Sequence, residues 1–353
     1  LGKFSSFYYY LRSLYVDQVD GEAAIEDAIK AVLAGLDPHS SYVSAEQLKA
    51  EMEMTEGAFG GIGVEFGIVR DTVTVISTYK DSPADMIFDT FEDSIFAGSE
   101  LGHNILGTKA ALMRHTSESI KQFVARTHTT DQMVFSSIGN MSVKSVQSVV
   151  AKYLAEQPIS TRNFKRIAPE KVEPFERVVN KHTHQTHCIV GARAYDINDD
   201  KRLPLSLLVN ILGGPSANSR LNTVLREKNG LSYNTEAIYT PYNDCGMVAI
   251  YFSSDHHNAD LCRELIDNEL KSLRTTPPTA RQLSMIKRQF LAQMAISMEN
   301  NEGYMLGAGK SYLVHDEIDT LEEVYRKVSA VKAEQIMEVA EDIFANTSTL
   351  IYQ

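Results

Sequence analysis

Apolar residues near the start of the chain recur every three or four positions, which is typical of one face of a helix. They are Ile25, Ala28, Ile29, Val32, Leu33 and Leu36. Residues 35–38 (Gly-Leu-Asp-Pro) end this helix. Ser44, with Gln47 three positions later, forms a capping box that predicts a second helix to about Met54. The pattern therefore predicts that residues 1–57 are helical.

From position 61 the spacing of the apolar residues changes from helical to alternating. Ile62, Val64 and Phe66 occupy every second position, as on one face of a half-buried strand. A polar pair at 70–71 then leads into a second run of alternating residues. Residues 61–77 therefore predict a β-hairpin.

The remaining chain mixes helical and strand patterns and predicts the α+β class. Pro83 suits the first turn of a helix, and the polar, proline-containing residues 157–182 predict a linker. Further helices are predicted at 108–127, 142–156, 201–212, 217–228, 257–274, 279–299, 320–328 and 332–345. Strands are predicted at 132–139, 184–194, 231–240, 245–254 and 348–352.

Composition and charge exclude several classes of protein. The chain has 353 residues, enough for about two domains, and its 34 basic and 46 acidic side chains give a formal charge of −12. That balance argues against a general nucleic-acid binder, which needs a basic stripe to release phosphate counterions. No apolar run approaches the ~18 residues that span a bilayer. Since the sequence begins at Leu1 and not at Met, we expect a processed or excised segment.

Two stretches of the sequence resemble two different peptidase families. Residues 1 to about 76 resemble the N-terminal region of the carboxy-terminal processing (S41) serine peptidases. The carriers are Leu14-Tyr15-Val16-Asp17, Leu36-Asp37-Pro38-His39-Ser40-Ser41-Tyr42 and Phe59-Gly60-Gly61-Ile62-Gly63-Val64-Glu65. The catalytic Ser–Lys pair of that family lies beyond this region, so the resemblance implies no catalytic residue here.

Residues from about 79 to 353 resemble the insulinase-like (M16) zinc peptidases. The carriers are Tyr79-Lys80-Asp81-Ser82-Pro83, Phe91-Glu92-Asp93, the run 101–108 (LGHNILGT), Ser219-Arg220-Leu221 and the run 225–233 (LREKNGLSY). The resemblance implies an antiparallel-rich sheet packed with helices, one half of a clamshell of two related domains. It also implies three regions: an N-terminal segment (1–77), the back half of a first domain (78–165) and a complete second domain (166–353). The junction between the two resemblances falls near 72–79.

The zinc ligands of the insulinase-like family are absent from this sequence. The HxxEH motif, like its reverse HExxH, places two histidines four positions apart so that both imidazoles face one ion. None of the ten histidines is paired at that spacing. The position that the resemblance assigns to the third ligand, a glutamate, is occupied by Val75. We therefore expect no zinc on this chain, and zinc only on a complete family member or a partner.

One histidine cluster remains, at His182, His184 and His187. In a strand, the first two share a face and the third points to the opposite face, so the three do not converge easily on one ion. A polar strand entry with hydrogen-bonded histidines is the simpler interpretation, and metal binding is the alternative.

Arg226 and Tyr233 are the candidate substrate-binding residues. Arg226 ends a predicted helix that Asn229-Gly230 closes, and Tyr233 begins the next strand. The resemblance implies that this pair reaches across the clamshell to the substrate carbonyl. The alternative is an exposed arginine favoured by the helix dipole and a half-buried strand tyrosine.

These observations predict a peptidase-family protein that keeps the substrate-facing half of a proteolytic chamber and lacks its own zinc site. The expected substrate is a peptide or unfolded protein. The expected partner is a zinc-bearing insulinase-like subunit, or a second copy of the chain. Two alternatives remain: a non-catalytic peptide-binding or scaffold protein, and a non-functional join of two peptidase fragments.

Overall fold

The computed structural model describes residues 8–10, 20–34, 64–69, 72–78, 83–154, 159–163, 165–216 and 218–353. The chain divides into two compact units, Leu1–Ser77 and Thr78–Gln353. In the smaller unit, helix α1 spans Gly21–Ala34, and strand β1 (Val64–Val69) pairs with β2 (Thr72–Thr78) in a two-stranded sheet. These elements agree with the predicted first helix and hairpin. The second predicted helix, to Met54, lies outside the described residues.

The larger unit contains one five-stranded sheet and most of the helices. Its helices are α2 (Pro83–Ile95), α3 (Lys109–Leu112), α4 (Ser117–Thr127), α5 (Val143–Leu154), α6 (Arg202–Gly213), α7 (Ala259–Thr275), α8 (Ala280–Ser297), α9 (Asn301–His315), α10 (Leu321–Ala330) and α11 (Ala333–Phe344). Its strands are β3 (Glu176–Val179), β4 (Thr186–Ala194), β5 (Ser232–Pro241), β6 (Gly246–Ser254) and β7 (Ser348–Tyr352). Short 3₁₀ turns lie at Thr130–Gln132 and His256–Asn258. None of the described helices is long and apolar enough to cross a membrane.

The strands of the sheet lie in the order β3-β7-β4-β6-β5. Three of the four pairings are antiparallel, and β3 pairs with β7 in parallel. The central residue Cys188 faces Phe252 on one side and Ile351 on the other. The sheet is therefore antiparallel-rich, as the sequence predicts.

The two faces of the sheet are both covered, because alternate residues of each strand point to opposite sides. Cys188, Val190 and Phe252 face a core built with α6, α7, α8, α10 and α11. The residues between them, such as Ile189 and Tyr251, face the second core. Strands buried on both faces read as continuous apolar runs.

Helix α2 supplies the helical part of the second core. Ile87 and Phe91 are fully buried against the sheet residues of that face. Gly191 allows this close approach: a Cβ there would lie 2.8 Å from Cζ of Phe91 and 2.3 Å from the carbonyl oxygen of Val248. The segment that begins the predicted region 78–165 thus packs on the sheet of region 166–353, and the boundary at 165 stays a prediction.

Three local predictions are wrong. Residues 132–139 have no strand, because their extended backbone finds no partner strand within the described ranges. The predicted linker 157–182 contains the short edge strand β3. Helix α9 was missed because its apolar residues do not fall on one face; none of them is buried.

Candidate functional site

Arg226 lies on an irregular turn of helix. Residues Asn222–Glu227 form a π-helix, in which each N–H reaches one residue further back than in an α-helix. The N–H of Lys228 accordingly donates to the carbonyl oxygen of Thr223 at 3.0 Å. Such turns are rare and occur often at functional sites. The sequence predicted an ordinary helix over 217–228, since the turn type leaves no mark on the apolar spacing.

The end of this π-helix leaves the Arg226 side chain in solvent. Leu225 is fully buried and anchors the turn, whereas 55% of the Arg226 side chain is exposed. Its Nε lies 3.9 Å from Oε1 of the adjacent Glu227, a weak surface pairing. Gly230, with φ of +61°, then turns the chain, and the N–H of Leu231 donates to the carbonyl oxygen of Leu225 at 2.8 Å. The guanidinium is thus exposed to solvent, while the backbone that carries it is held in place.

Tyr233 occupies a β-bulge at the start of β5. Ser232 pairs with Ser254 and Asn234 pairs with Ser253, so Tyr233 is the extra residue between them. The buried hydroxyl of Ser232 donates to the carbonyl oxygen of Asn234 at 3.0 Å and holds the bulge closed. Bulges recur next to active sites, where they redirect a side chain. No pattern in the sequence predicts this bulge or the role of Ser232.

Polar side chains gather on the sheet face beside this bulge. A hydrogen bond of 2.8 Å joins Nδ1 of His187 on β4 to the hydroxyl of Tyr251 on β6. Glu236 on β5 is the cross-strand neighbour of Tyr251, and burial raises the pKa of its carboxyl. Because β5 is an edge strand among the described strands of this sheet, this polar face lies next to a strand edge.

Among the described residues, no group of side chains fits a zinc ion. Across the described ranges, no three side chains of His, Cys, Asp or Glu are placed to hold a metal. His182 has a left-handed backbone (φ +52°), and His187 is engaged with Tyr251. Of the three histidines in the cluster, His187 has a hydrogen-bonded ring, as the simpler interpretation expects.

Comparison with known proteins decides the family. A profile described as "Peptidase M16 inactive domain" matches residues 114–290, half of the chain. The chain belongs to the M16 peptidase family. The insulinase-like resemblance of the sequence is confirmed by this match, which includes Arg226 and Tyr233. Residues 1–76 lie outside it.

Curated relatives of this M16 chain are bacterial proteins named as zinc proteases. The uncharacterized zinc protease YmxG of Bacillus subtilis is 28% identical over 278 residues, which cover 78% of this chain and 66% of the relative. The uncharacterized zinc protease SCO5738 of Streptomyces coelicolor is 24% identical, with coverage of 82% and 64%. The chain spans slightly less than two thirds of the length of these relatives.

Solved structures show the same fold. The peptidase M16 inactive domain of Pseudomonas fluorescens matches with a TM-score of 0.69 at 19% identity, covering 77% of this chain and 66% of that one. A protease from Helicobacter pylori matches with a TM-score of 0.66 at 15% identity, covering 94% and 78%. At these identities the likeness establishes the fold, an α+β insulinase-like unit.

Acid should destabilise this fold through His187. Burial, and then the charge of His256, holds the pKa of His187 below its usual 6.5; Tyr251 and Tyr352 are the other titratable groups beside it. The unfolded chain therefore takes up this proton first, and the stability that neutral His187 contributes is complete above pH 6.5 and is lost as the pH falls below it. The melting temperature of His187→Gln should fall less than that of the wild type between about pH 8 and about pH 5. The exposed His103→Gln should behave as wild type; equal slopes for all three proteins would contradict the assignment.

Proposed function

We propose that this chain forms the substrate-binding half of a proteolytic chamber whose zinc is carried by another subunit. One observation carries the proposal: Arg226 and Tyr233 lie on the two irregular backbone segments that flank a single tight turn. π-Turns and bulges weaken local hydrogen bonding and persist where a side chain has to be aimed. A surface arginine and a strand tyrosine without a functional role would need neither the π-turn nor the bulge.

The proposed role of the pair is to hydrogen-bond the substrate carbonyl. The side chains of arginine and tyrosine can both donate hydrogen bonds to a carbonyl oxygen. These hydrogen bonds strengthen as negative charge develops on that oxygen. The exposed guanidinium of Arg226 can reach a peptide, because its ion pair with the next residue, Glu227, is a weak contact of 3.9 Å. The hydroxyl of Ser232 would hold the backbone of the bulge at Tyr233 in place.

The expected substrate is an extended peptide or an unfolded protein. Strand β5 has a partner strand, β6, on one side, so its other edge can pair with an added strand. Main-chain pairing binds any extended sequence, and the polar face around Glu236 would add selectivity. Residues 1–76, with their S41-like sequence, are proposed to add no catalytic group.

The zinc-bearing chain is proposed to be a different subunit. A second copy of this chain would also lack HxxEH and carry Val75. A homodimer therefore cannot supply the hydrolytic group that this chain lacks. The relatives named as zinc proteases belong to bacteria, and each is longer than the match to this chain.

The experiment coexpresses this chain with a zinc-bearing M16 subunit from the same genome. Native mass spectrometry should show a heterodimer with one zinc, and the pair should cleave an unfolded test protein faster than either chain alone. A chain that binds the unfolded protein but never raises the rate of its partner would be a peptide-binding or scaffold protein. A chain that does neither would support the non-functional join.

The isolated chain should hold no stoichiometric zinc. This follows from the absent histidine pair and from Val75 at the third ligand position. Elemental analysis after gel filtration should find well below one zinc per chain, and a chelator should leave the melting temperature unchanged. Close to one tightly held zinc per chain, with chelator-sensitive cleavage, would contradict this.

A further inference from the structure

A cavity of about 150 Å³ lies between three helices of the larger unit. It is lined by residues of α6, of the end of α7, of the first half of α8 and of the turn that precedes the π-helix. The described lining residues all lie between positions 210 and 289, so none comes from region 78–165. None of them belongs to the turn that carries Arg226 and Tyr233. The cavity is therefore a separate candidate site.

Part of the cavity lining is apolar. Ile211 of α6 and Ile286 of α8 are half-buried there, and Leu273 of α7 is almost fully buried. Met285, which also lines the cavity, is 50% exposed, so the cavity is accessible from solvent. A space of this volume with apolar side chains around it can hold one benzene-sized ring.

The polar part of the lining is held in place by hydrogen bonds. Nε2 of Gln289 and Nε2 of Gln293 both donate to Oγ of Ser216, at 2.8 and 2.9 Å. Oε1 of Gln293 in turn accepts from Nδ2 of Asn210 at 2.7 Å. Asn210 and Gln289, which line the cavity, are thus fixed at either end of this network. A ligand would therefore meet a preorganised wall, which lowers the entropic cost of binding.

Ser219 supplies a buried hydroxyl that is available to a ligand. The residue is 4% exposed and lines the cavity, and within the described ranges its hydroxyl has no hydrogen-bond partner. Two other unpartnered side-chain atoms of the described chain, Oγ1 of Thr129 and Nε of Arg193, are sealed from solvent, whereas Oγ of Ser219 is not. Since a buried hydroxyl without a partner costs free energy, a ligand group that bonds to Ser219 is favoured.

The cavity is close to neutral in charge. Arg220 is the charged residue among its described lining residues, and Nη1 of Arg220 lies 3.2 Å from Oε2 of Glu269. Both side chains are mostly buried, at 28% and 27% exposed, so salt screens this pair less than a surface pair. An ionised ligand would lose its hydration and find the guanidinium already paired. The ligand that fits is therefore uncharged.

We propose that this cavity binds a phenol, an uncharged aromatic ring that carries one hydroxyl group. The volume and the apolar lining fit one ring, and Ser219 fits a group that can both donate and accept a hydrogen bond. A phenol has both capacities and stays neutral at pH 7, because its pKa is about 10. Either a free small molecule or the tyrosine side chain of a polypeptide supplies this chemistry. The site goes beyond the proposed role in proteolysis.

Water is the alternative occupant of the cavity. A water molecule would satisfy the hydroxyl of Ser219, but it would gain nothing from the apolar side chains that line the same space. A phenol replaces the water at Ser219 and also buries its ring against Ile211, Leu273 and Ile286. The test below separates the two occupants.

The test titrates the full chain with p-cresol, the tyrosine side chain as a free molecule, and measures binding by saturation-transfer NMR. Saturable binding is expected, and toluene, the same ring without the hydroxyl, should bind about fivefold more weakly for want of one hydrogen bond. The charged p-toluate should show no saturable binding. The peptide N-acetyl-Gly-Tyr-Gly-amide distinguishes the two sources: it binds as tightly as p-cresol if the natural ligand is a tyrosine side chain, and it is excluded if the cavity admits a free phenol only.

Two variants link the binding to this cavity. Ser219→Ala should weaken binding of p-cresol about fivefold and leave that of toluene unchanged. Its melting temperature should not fall, since the hydroxyl makes no bond within the described part of the protein. Met285→Trp should fill the cavity and abolish the binding of both ligands. The control Ile296→Trp places the same side chain at an exposed position of α8 outside the lining and should leave binding unchanged.

Three results would overturn the proposal. No saturable binding of p-cresol would leave the cavity to water. Equal affinities for p-cresol and toluene in the wild-type chain would show that the hydroxyl is not recognised. Binding of p-cresol that survives Met285→Trp would place the ligand elsewhere on the chain. Because Arg226 and Tyr233 are intact in every variant, these results do not depend on the proposed role in proteolysis.

Discussion

Phe91→Ala should lower the free energy of unfolding of the larger unit by about 3–5 kcal/mol, in the range for fully buried aromatic residues. Phe91 has no exposed surface, lies 5.9 Å from the ring of Phe175, and packs over Gly191 of β4. In the described part of the chain, the helical side of the second core comes from α2, so the cavity cannot be refilled by a neighbouring helix. Urea denaturation followed by circular dichroism measures the loss.

The matched control is Phe123→Ala on α4, where the phenylalanine is 51% exposed. That substitution should change the free energy of unfolding by less than about 0.5 kcal/mol. A loss below about 1.5 kcal/mol for Phe91→Ala would mean that α2 does not pack tightly on the sheet. The description of α2 as the cover of the second face of the sheet would then be wrong.

Arg226→Ala should lower kcat/KM of the reconstituted pair of subunits by about 10²–10³, the usual effect of removing one oxyanion donor. The same loss is expected for Tyr233→Phe. Because the two residues flank one turn and would bond one oxygen, the double variant should lose less than the product of the single losses. The rates are measured on an unfolded substrate with saturating partner, and the melting temperature of Arg226→Ala should stay unchanged, since its side chain is exposed.

Controls separate this role from a general effect of charge or of a lost hydroxyl. Arg281→Ala on α8 and Tyr325→Phe on α10 remove the same groups from exposed positions elsewhere and should leave the rate unchanged. Full activity of both single variants at the site would show that the pair does not contact the substrate. A lowered melting temperature of the variants with an unchanged rate of cleavage would assign a structural role to the pair.

The fold of residues 166–353 was predictable because the apolar patterns of its strands and helices are strong and local. Strands β4 and β6 read as continuous apolar runs, and α7 places Cys262, Ile266 and Leu270 on one buried face. The failures have a common physical cause. A strand needs a partner as well as a pattern, so 132–139 kept the alternation of a strand without becoming one, and β3 became a strand by pairing with β7 despite its polar sequence.

The candidate site was predictable only in part. Arg226 and Tyr233 came from the resemblance to a family, since composition and spacing do not distinguish them from other exposed residues. The bulge depends on the register of β5 against β6 between Ser232 and Asn234, and register is a tertiary property. The fully buried Leu225 and the hydroxyl of Ser232, which fix the π-turn and the bulge, carry no motif of their own.

The position of β7 imposes an order on biosynthesis. Residues Ser348–Tyr352 come last among the strands, yet β7 lies between β3 and β4. On the ribosome, β4, β5 and β6 can pair as soon as they emerge, whereas β3 has no place in the sheet until residue 352 has left the exit tunnel. From the emergence of β4 until that point, the nascent chain therefore exposes the edge of β4 that β7 will cover, and a chaperone is most needed in that interval.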